Sequence, residues 1–411
     1  MRLLGLAVGL LALNVSARPA PWATGESKAE DLVAYLVTFG PGPDLASWWG
    51  HTALVIEDRR LHHARLYNYG MFTFDRAMLA KFAMGRLEFW VGEAPFRSTL
   101  EFYADAKRRV SIQELNLLPA ARMDLAHRLA ENVKLENRTY LYDHYGDNCS
   151  SRPRDMLDAV IGRQLTSATA GPGQYTLREQ TRRYTQVNVF WALLLDFAMN
   201  DLIDRPIRKS AEAFLPEELE RQVAALQFRD ASGASVPLVR ATTVFSEGRI
   251  PRVPETPPSY LTACWALGSG AGLLLLFLLV WARAGEVWPT RLAGAYQMLL
   301  GVCMGIAGVV LMAFWLFTEH TITWRNENLF LVNPIYLALI PLGFRFAKRD
   351  DRRRQQPARL WLLLAGVGVL GIALKVLPQF DQRNAELVAL LLPVSVFGAM
   401  GAAIFARRKA A

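Results

Sequence analysis

The pattern of apolar positions changes character near Ser259. Before it, apolar and polar residues alternate or recur at helical spacing, as in a globular domain. After it come about five apolar runs of spanning length, ~20 residues each. They lie roughly at 260–282, 292–317, 329–346, 358–377 and 387–406. The third is the most broken, because Asn333, Pro334 and Arg345 interrupt it. Residues 251–259, with four prolines, read as a stiff linker between the two regimes. The pattern therefore predicts a globular domain over 25–250 and a transmembrane helical domain over 260–406.

Within the first region, 32–39 (LVAYLVTF) is apolar and β-branched enough for a buried strand, broken by Gly40-Pro41-Gly42-Pro43. A second strand is predicted over 51–57, a turn at Asp58-Arg59-Arg60, a third strand over 61–67 and a fourth over 89–92. Helical spacing appears over 123–135, from Cys149 towards Val160, over 190–202 and over 216–226. Together these elements give an α+β domain.

The first seventeen residues have a short positive start at Arg2, an apolar stretch from Leu3 to Leu13 and a small-residue cleavage pattern at Val15-Ser16-Ala17. They read as a signal peptide, 1–17, with an uncleaved anchor as the alternative. In both cases the domain that follows is exported. Hydrophobic residues make up 52% of the chain and charged residues 20%, which is apolar for a soluble protein. The basic excess, 46 Lys+Arg against 37 Asp+Glu, does not point to nucleic acid. Much of it sits beside the apolar runs, as in Lys348, Arg349, Arg352, Arg353 and Arg354, where basic residues orient a membrane protein. Arg283, Arg291, Arg359 and Arg407-Arg408-Lys409 fall in the same inner loops, whereas the outer loops carry little beyond Arg325 and Arg383. Span count and charge bias agree on a cytoplasmic C-terminus.

Candidate chemistry starts from cysteine. Cys264 and Cys303 lie in apolar runs, so Cys149 is alone in the exported domain, with no partner for an internal disulfide. It is either a buried core residue or a used thiol. Asp147-Asn148-Cys149-Ser150-Ser151 precedes a helix that Asn148 or Ser150 can cap. At such a helix start the thiol pKa should fall, and free N–H groups can hold an oxyanion. A base is sought among His51, His62, His63, His127, His144 and His320. His51 opens a strand after Trp48-Trp49-Gly50. His62 and His63 are adjacent and point to opposite faces if they lie on a strand. His127 reads as a surface residue of a helix, and His144 is the rival base. A metal set of His51, His62 and Asp58 has no HExxH or CxxC pattern behind it, so neither metal nor cofactor is expected.

Three blocks carry a resemblance: GHTALVIED, YNYGMFTFD and YLYDHYGDNCSSRPRDMLD, in that order. The sequence resembles the Lnb-type lipoprotein N-acyltransferases in the N-terminal periplasmic domain, over most of residues 30–220. The layout of the multi-span half is also similar, including HTITWRNENLFLVNP. The resemblance implies an α+β permuted papain-like (NlpC-like) periplasmic domain followed by a transmembrane bundle of about five spans. It implies His51 as base and Cys149 as nucleophile. The third, orienting member stays open among Asn68, Tyr69, His62 and His63, with Asn148 and Ser150 as further supporting residues.

What the resemblance implies chemically is acyl transfer in a bacterial inner membrane. A phospholipid is the acyl donor and the N-terminal amine of a diacylated lipoprotein the acceptor, through a thioester on Cys149. His320, Asn326 and Asn328 fall in an outer loop and are candidates to face the site. The apolar stretch Phe190 to Leu195 either leans on the bilayer or forms a buried core helix. The alternatives are a thiol hydrolase acting on cell-wall peptides and a non-enzymatic membrane scaffold or transporter. The spans hold few ionisable residues, which argues against a polar transport path.

Overall fold

The computed structural model describes residues 18–73, 76–230, 233–348 and 355–406. The expected signal peptide, the basic residues of 349–354 and of the tail, and the last two residues of the YNYGMFTFD block lie outside the described residues. Two compact units result. One holds the described residues up to Gln180 together with Pro206–Glu255, and the other holds Thr181–Arg205 with Thr256–Ala411. The segment Thr181–Arg205, expected in the exported domain, thus belongs to the helical unit.

The first unit is built on an antiparallel sheet. Its strands are β1 (Leu32–Phe39), β2 (His51–Asp58), β3 (His63–Met71), β4 (Glu88–Pro95), β5 (Val110–Leu115), β6 (Thr139–Leu141) and β9 (Val239–Ser246). A separate small hairpin pairs β7 (Gln227–Arg229) with β8 (Ser235–Pro237). Among the described residues the large sheet runs β6-β4-β3-β2-β1-β5-β9. β1 and β2 form a hairpin pairing Leu32 with Asp58 and Phe39 with His51. Gly50 turns the chain into β2 with φ +82°, and a Cβ there would stand 2.8 Å from the Phe39 carbonyl oxygen. A glycine is therefore required at the mouth of the strand.

The period-two alternation of the central strands loads both faces. Leu54 and Ile56 of β2 and Tyr67 and Tyr69 of β3 enter one core, with Leu125, Leu129 and Leu157. Ala53, Val55 and Leu66 enter the other, with Val37, Phe39 and Leu100. Helix α1 (Phe96–Asp105) contributes Leu100 to this second core, whereas α2 (Pro119–Asn132) and α3 (Ser151–Val160) contribute to the first. Burying each of the central leucines and isoleucines contributes about 1.5–3 kcal/mol.

The second unit starts with α4 (Val189–Ala198). The chain returns to it through α5 (Leu261–Ala282), α6 (Val287–Phe317), α7 (Leu339–Ala347), α8 (Gln355–Leu374) and α9 (Ala385–Ala406). Among the described residues, α5, α6, α8 and α9 are long and apolar enough to cross a membrane. The interrupted third run is a pair of helical pieces, Thr321–Phe330 and Pro334–Ala347, bent by 50°. It makes a fifth span if the pair is one. Asn333 explains the break: its side chain accepts from the Ile335 N–H and Pro334 follows it, so helix can only restart there. Glycines let the spans approach closely: a Cβ at Gly268 would stand 2.4 Å from the Leu390 carbonyl oxygen.

Candidate active site

The hydrogen-bonded ladder between β2 and β3 ends at the pair Ala53–Asn68. Beyond it β3 turns away at Gly70, whose φ is +89°. The segment before α3 fills the gap. That φ favours glycine, and a Cβ at Gly70 would press on the Cys149 Cβ at 3.3 Å. The backbone N–H groups of Thr52 and of Cys149 itself lie near enough to the sulfur to favour its thiolate. The sulfur therefore lies near the start of β2, at Thr52, the residue that follows His51.

His51 and Asn68 share one face of the sheet, since Ala53 pairs with Asn68 and His51 stands two residues from Ala53. Nε2 of His51 meets Oδ1 of Asn68 in a short hydrogen bond. With that oxygen as acceptor, Nε2 carries the ring proton and Nδ1 keeps its lone pair. The rings of Phe39 and Tyr103 flank the imidazole, at 6.0 and 6.3 Å between centroids. Among the candidates for an orienting residue, Asn68 is thus the one in contact with His51.

Tyr69, one residue on, points to the opposite face and donates to Asn132 Oδ1 at 2.7 Å within the core. His62 lies in the β2–β3 turn with φ +50° and not on a strand. His63 opens β3 opposite Asp58, where its Nε2 accepts from Arg65 Nε at 3.0 Å. Both sit at the far end of β2, seven residues or roughly 23 Å of strand from His51. That separation removes both as supports, and with them the metal set of His51, His62 and Asp58.

The helix start differs from the expectation. Asn148 is the cap: its Oδ1 accepts from the N–H groups of Ser150 and Ser151 at 2.7 and 2.9 Å. The Ser151 hydroxyl returns a bond to the Asn148 N–H at 2.8 Å, closing a capping box. The Asn148 amide also donates to the carbonyls of His144 and Phe214. Ser150 does not cap; its hydroxyl donates to the Ala213 carbonyl at 2.8 Å. Two of the helix-start N–H groups are therefore occupied, and the N–H of Cys149 remains beside the sulfur.

Burial decides the charge state of the pair. The Cys149 thiol is pushed up to about 11, because burial outweighs the Thr52 and Cys149 N–H groups and Arg108. This reverses the expected fall. His51 is drawn down to about 4, chiefly by burial, against the Asn68 contact and with Arg108 assisting. At neutral pH the resting site holds a neutral thiol and a neutral imidazole. His144 is likewise drawn down to about 4 by burial. It packs edge-on against Trp49 at 4.7 Å and near Phe214 at 5.7 Å, with Nε2 unbonded. Among the described residues no side chain hydrogen-bonds that nitrogen.

Arg108 and Tyr103 escaped the sequence reading. Arg108 is 7% exposed; its guanidinium donates to the Gly40 carbonyl at 2.7 Å and lies 4.6 Å over the Tyr103 ring. Its charge acts on both His51 and Cys149. The local signal was a pair of arginines, Arg108-Arg109, just before the alternating strand β5, Val110–Leu115.

The match to a family model for the Lnb N-terminal periplasmic domain covers residues 18–183, and the match to one for the Lnb transmembrane domain covers 270–404. The chain belongs to the Lnb family. This Lnb-family chain is accordingly a membrane protein with an N-terminal periplasmic domain and a C-terminal transmembrane domain. No curated protein and no solved structure matches the chain. Of the residues singled out in the Lnb transmembrane domain, Asn326 and Asn328 spend their side chains on internal bonds. Asn326 Nδ2 donates to the carbonyls of Phe197 and Ala198, and Asn328 Nδ2 to that of Phe197. The His320 ring lies edge-on to Phe314 at 5.7 Å.

Proposed function

We propose that this Lnb-family protein is a membrane-bound acyltransferase in which Cys149 is the nucleophile, His51 the general base and Asn68 the residue that orients it. The observation that carries the reading is the hydrogen bond from His51 Nε2 to Asn68 Oδ1, at the start of the strand whose Thr52 N–H acts on the Cys149 thiol. A cysteine, a histidine and an amide are the parts of a papain-like thiol site. The histidine strand preceding the cysteine helix supports a permuted papain-like arrangement.

The pair is neutral at rest, so the thiol must lose its proton as it attacks. His51 Nδ1 takes that proton while the sulfur bonds to the ester carbonyl of a phospholipid. The ester C–O bond breaks, and the imidazolium returns the proton to the departing lysophospholipid oxygen. The N-terminal amine of a diacylated lipoprotein then attacks the thioester. A C–N bond forms, the C–S bond breaks, and the amine proton passes by way of His51 to the sulfur. The Cys149 N–H is a donor for the oxyanion in both steps.

Both substrates reside in a membrane, which suits a thiol domain carried on its own spans. We read the location as the bacterial inner membrane. Five crossings with the thiol domain outside leave the C-terminus inside, and Arg283, Arg291, Lys348 and Arg359 then fall at the inner end.

Intact-protein mass spectrometry after incubation with phospholipid vesicles tests the reading. A long-chain acyl adduct is expected on the wild type and absent from Cys149→Ala. Transfer of that acyl chain to a diacylated lipopeptide completes the test. No adduct together with cleavage of wall peptides would establish a hydrolase instead. Full complementation of N-acylation by a Cys149→Ala, His51→Ala double variant would leave only a non-catalytic role.

A further inference from the structure

Helix α4 is inverted relative to a helix of a water-soluble protein. Its one charged residue, Asp196, is buried, whereas Phe190 is 68% and Val189 48% exposed. Trp191 and Leu194 are also exposed, as is Val187 just before the helix. This excludes the buried core helix that the sequence left open. In water such a face costs free energy with no return. At ten residues, about 15 Å, the helix is too short to cross a bilayer.

The polar atoms around α4 fix its position within the second unit. Asp196 pairs with Arg182 at 2.6 Å, and Arg182 in turn pairs with Glu386 at 2.8 Å. Glu386 stands in the first turn of α9. The carbonyls that end α4 are held by Asn326 and Asn328. The Met199 carbonyl accepts from Gln382, and Asn200 bonds the carbonyls of Thr321 and Trp324. Lys375, at the end of α8, joins the same cluster through Glu327 at 2.8 Å. All these anchors lie where α6 and α8 end and α9 begins. Alternation of the chain puts the start of α5 at that end too. A helix tied to span ends with its apolar side outward continues the lipid-facing surface of the spans, on which Leu316 and Phe317 are exposed.

We propose that α4 is an interfacial helix whose Phe190–Leu194 face inserts among the acyl chains of the outer leaflet. The tether of amides and ion pairs sets its depth at the boundary between headgroups and hydrocarbon. The occupant is the phospholipid bilayer itself. The inference rests on the membrane location of the chain and is independent of any chemistry at Cys149.

The test uses the full chain with Cys149→Ala, reconstituted in vesicles of phosphatidylethanolamine and phosphatidylglycerol. The photoreactive substitutions Phe190→p-benzoylphenylalanine and Leu194→p-benzoylphenylalanine are compared with the same change at Phe277, exposed on span α5, and at His127, exposed on α2. Mass spectrometry after irradiation should find phospholipid adducts at 190, 194 and 277 and lose them at 127. Adducts at 277 with none at 190 or 194 would overturn the proposal. The adducts should be the same with Cys149 intact, so failure of the acyltransferase reading would leave this result unchanged.

Discussion

His51 and Asn68 stand on neighbouring strands, on one face of the sheet, and the amide oxygen of Asn68 meets the imidazole Nε2. That contact fixes which nitrogen carries the ring proton and leaves Nδ1 free to accept one. If Asn68 acts only by orienting the ring, Asn68→Ala should lower kcat for thioester formation on the order of 10²-fold with little change in KM. His51→Ala should lose as much or more. A stopped assay of acyl adduct by mass spectrometry separates the two constants. Equal activity of Asn68→Ala and wild type would remove Asn68 from the site.

The neutral resting pair has a pH signature. Acyl adduct formation should fall in acid with a midpoint of about 4, where His51 gains its proton. Alkylation of Cys149 by iodoacetamide should be slow at neutral pH and climb roughly tenfold per pH unit towards the thiol value of about 11. A fast reaction at pH 6 would mean a thiolate–imidazolium pair and contradict the burial argument.

Stability should follow the same histidines. His51 and His144 both sit at about 4, below the ordinary 6.5. Between those values the unfolded chain binds more protons than the folded one. Stability is therefore fully present above pH 6.5 and falls as pH drops towards 4. Each imidazole costs roughly 3 kcal/mol at the acid end of that window. Thermal unfolding of the full chain in detergent, followed from pH 7 to pH 4, measures it. His144→Phe should flatten the fall.

Gly70 gives a steric prediction. Its φ of +89° strains any side chain, and a Cβ there would press on that of Cys149 at 3.3 Å. Gly70→Ala should cost about 1–2 kcal/mol from the backbone alone. It should also shift Cys149 and lose adduct formation out of proportion to the fall in Tm. Unchanged adduct yield would show that the sulfur does not depend on the gap in β3.

Arg182 neutralises two buried carboxylates, Asp196 and Glu386. Arg182→Met strands both and should destabilise the helical unit by roughly 3–5 kcal/mol. Thermal unfolding in detergent reads the loss. Arg182→Lys should recover part of it, because a point charge cannot serve two carboxylates as a planar fork does.

Much of this was legible in the sequence because its signals are local. The apolar, β-branched text of 32–39 and 51–57 marks β1 and β2 almost to the residue. Apolar length marks four of the spans, and proline and asparagine mark the break in the third run. Strand β9 went unseen because, as an edge strand, it is mostly exposed and lacks an apolar face.

Cys149 stood out by residue type, as the lone cysteine of its domain before a helix, whereas His51 as its base and the order of strand and helix came from the family resemblance, since spacing alone did not choose among the histidines. The choice between Asn68 and Tyr69 came from neither. They are neighbours on one strand, and only the register of β3 against β2 decides which one faces the imidazole. The charge state of the thiol was also out of reach, since it depends on burial and on Arg108, contributed by the connection between α1 and β5. The crossing of Thr181–Arg205 into the helical unit rests on carboxylates and amides more than a hundred residues away. Periodicity encodes an element and the face it buries. It carries no record of which distant groups close around that face, and those groups set the field and the contacts at the site.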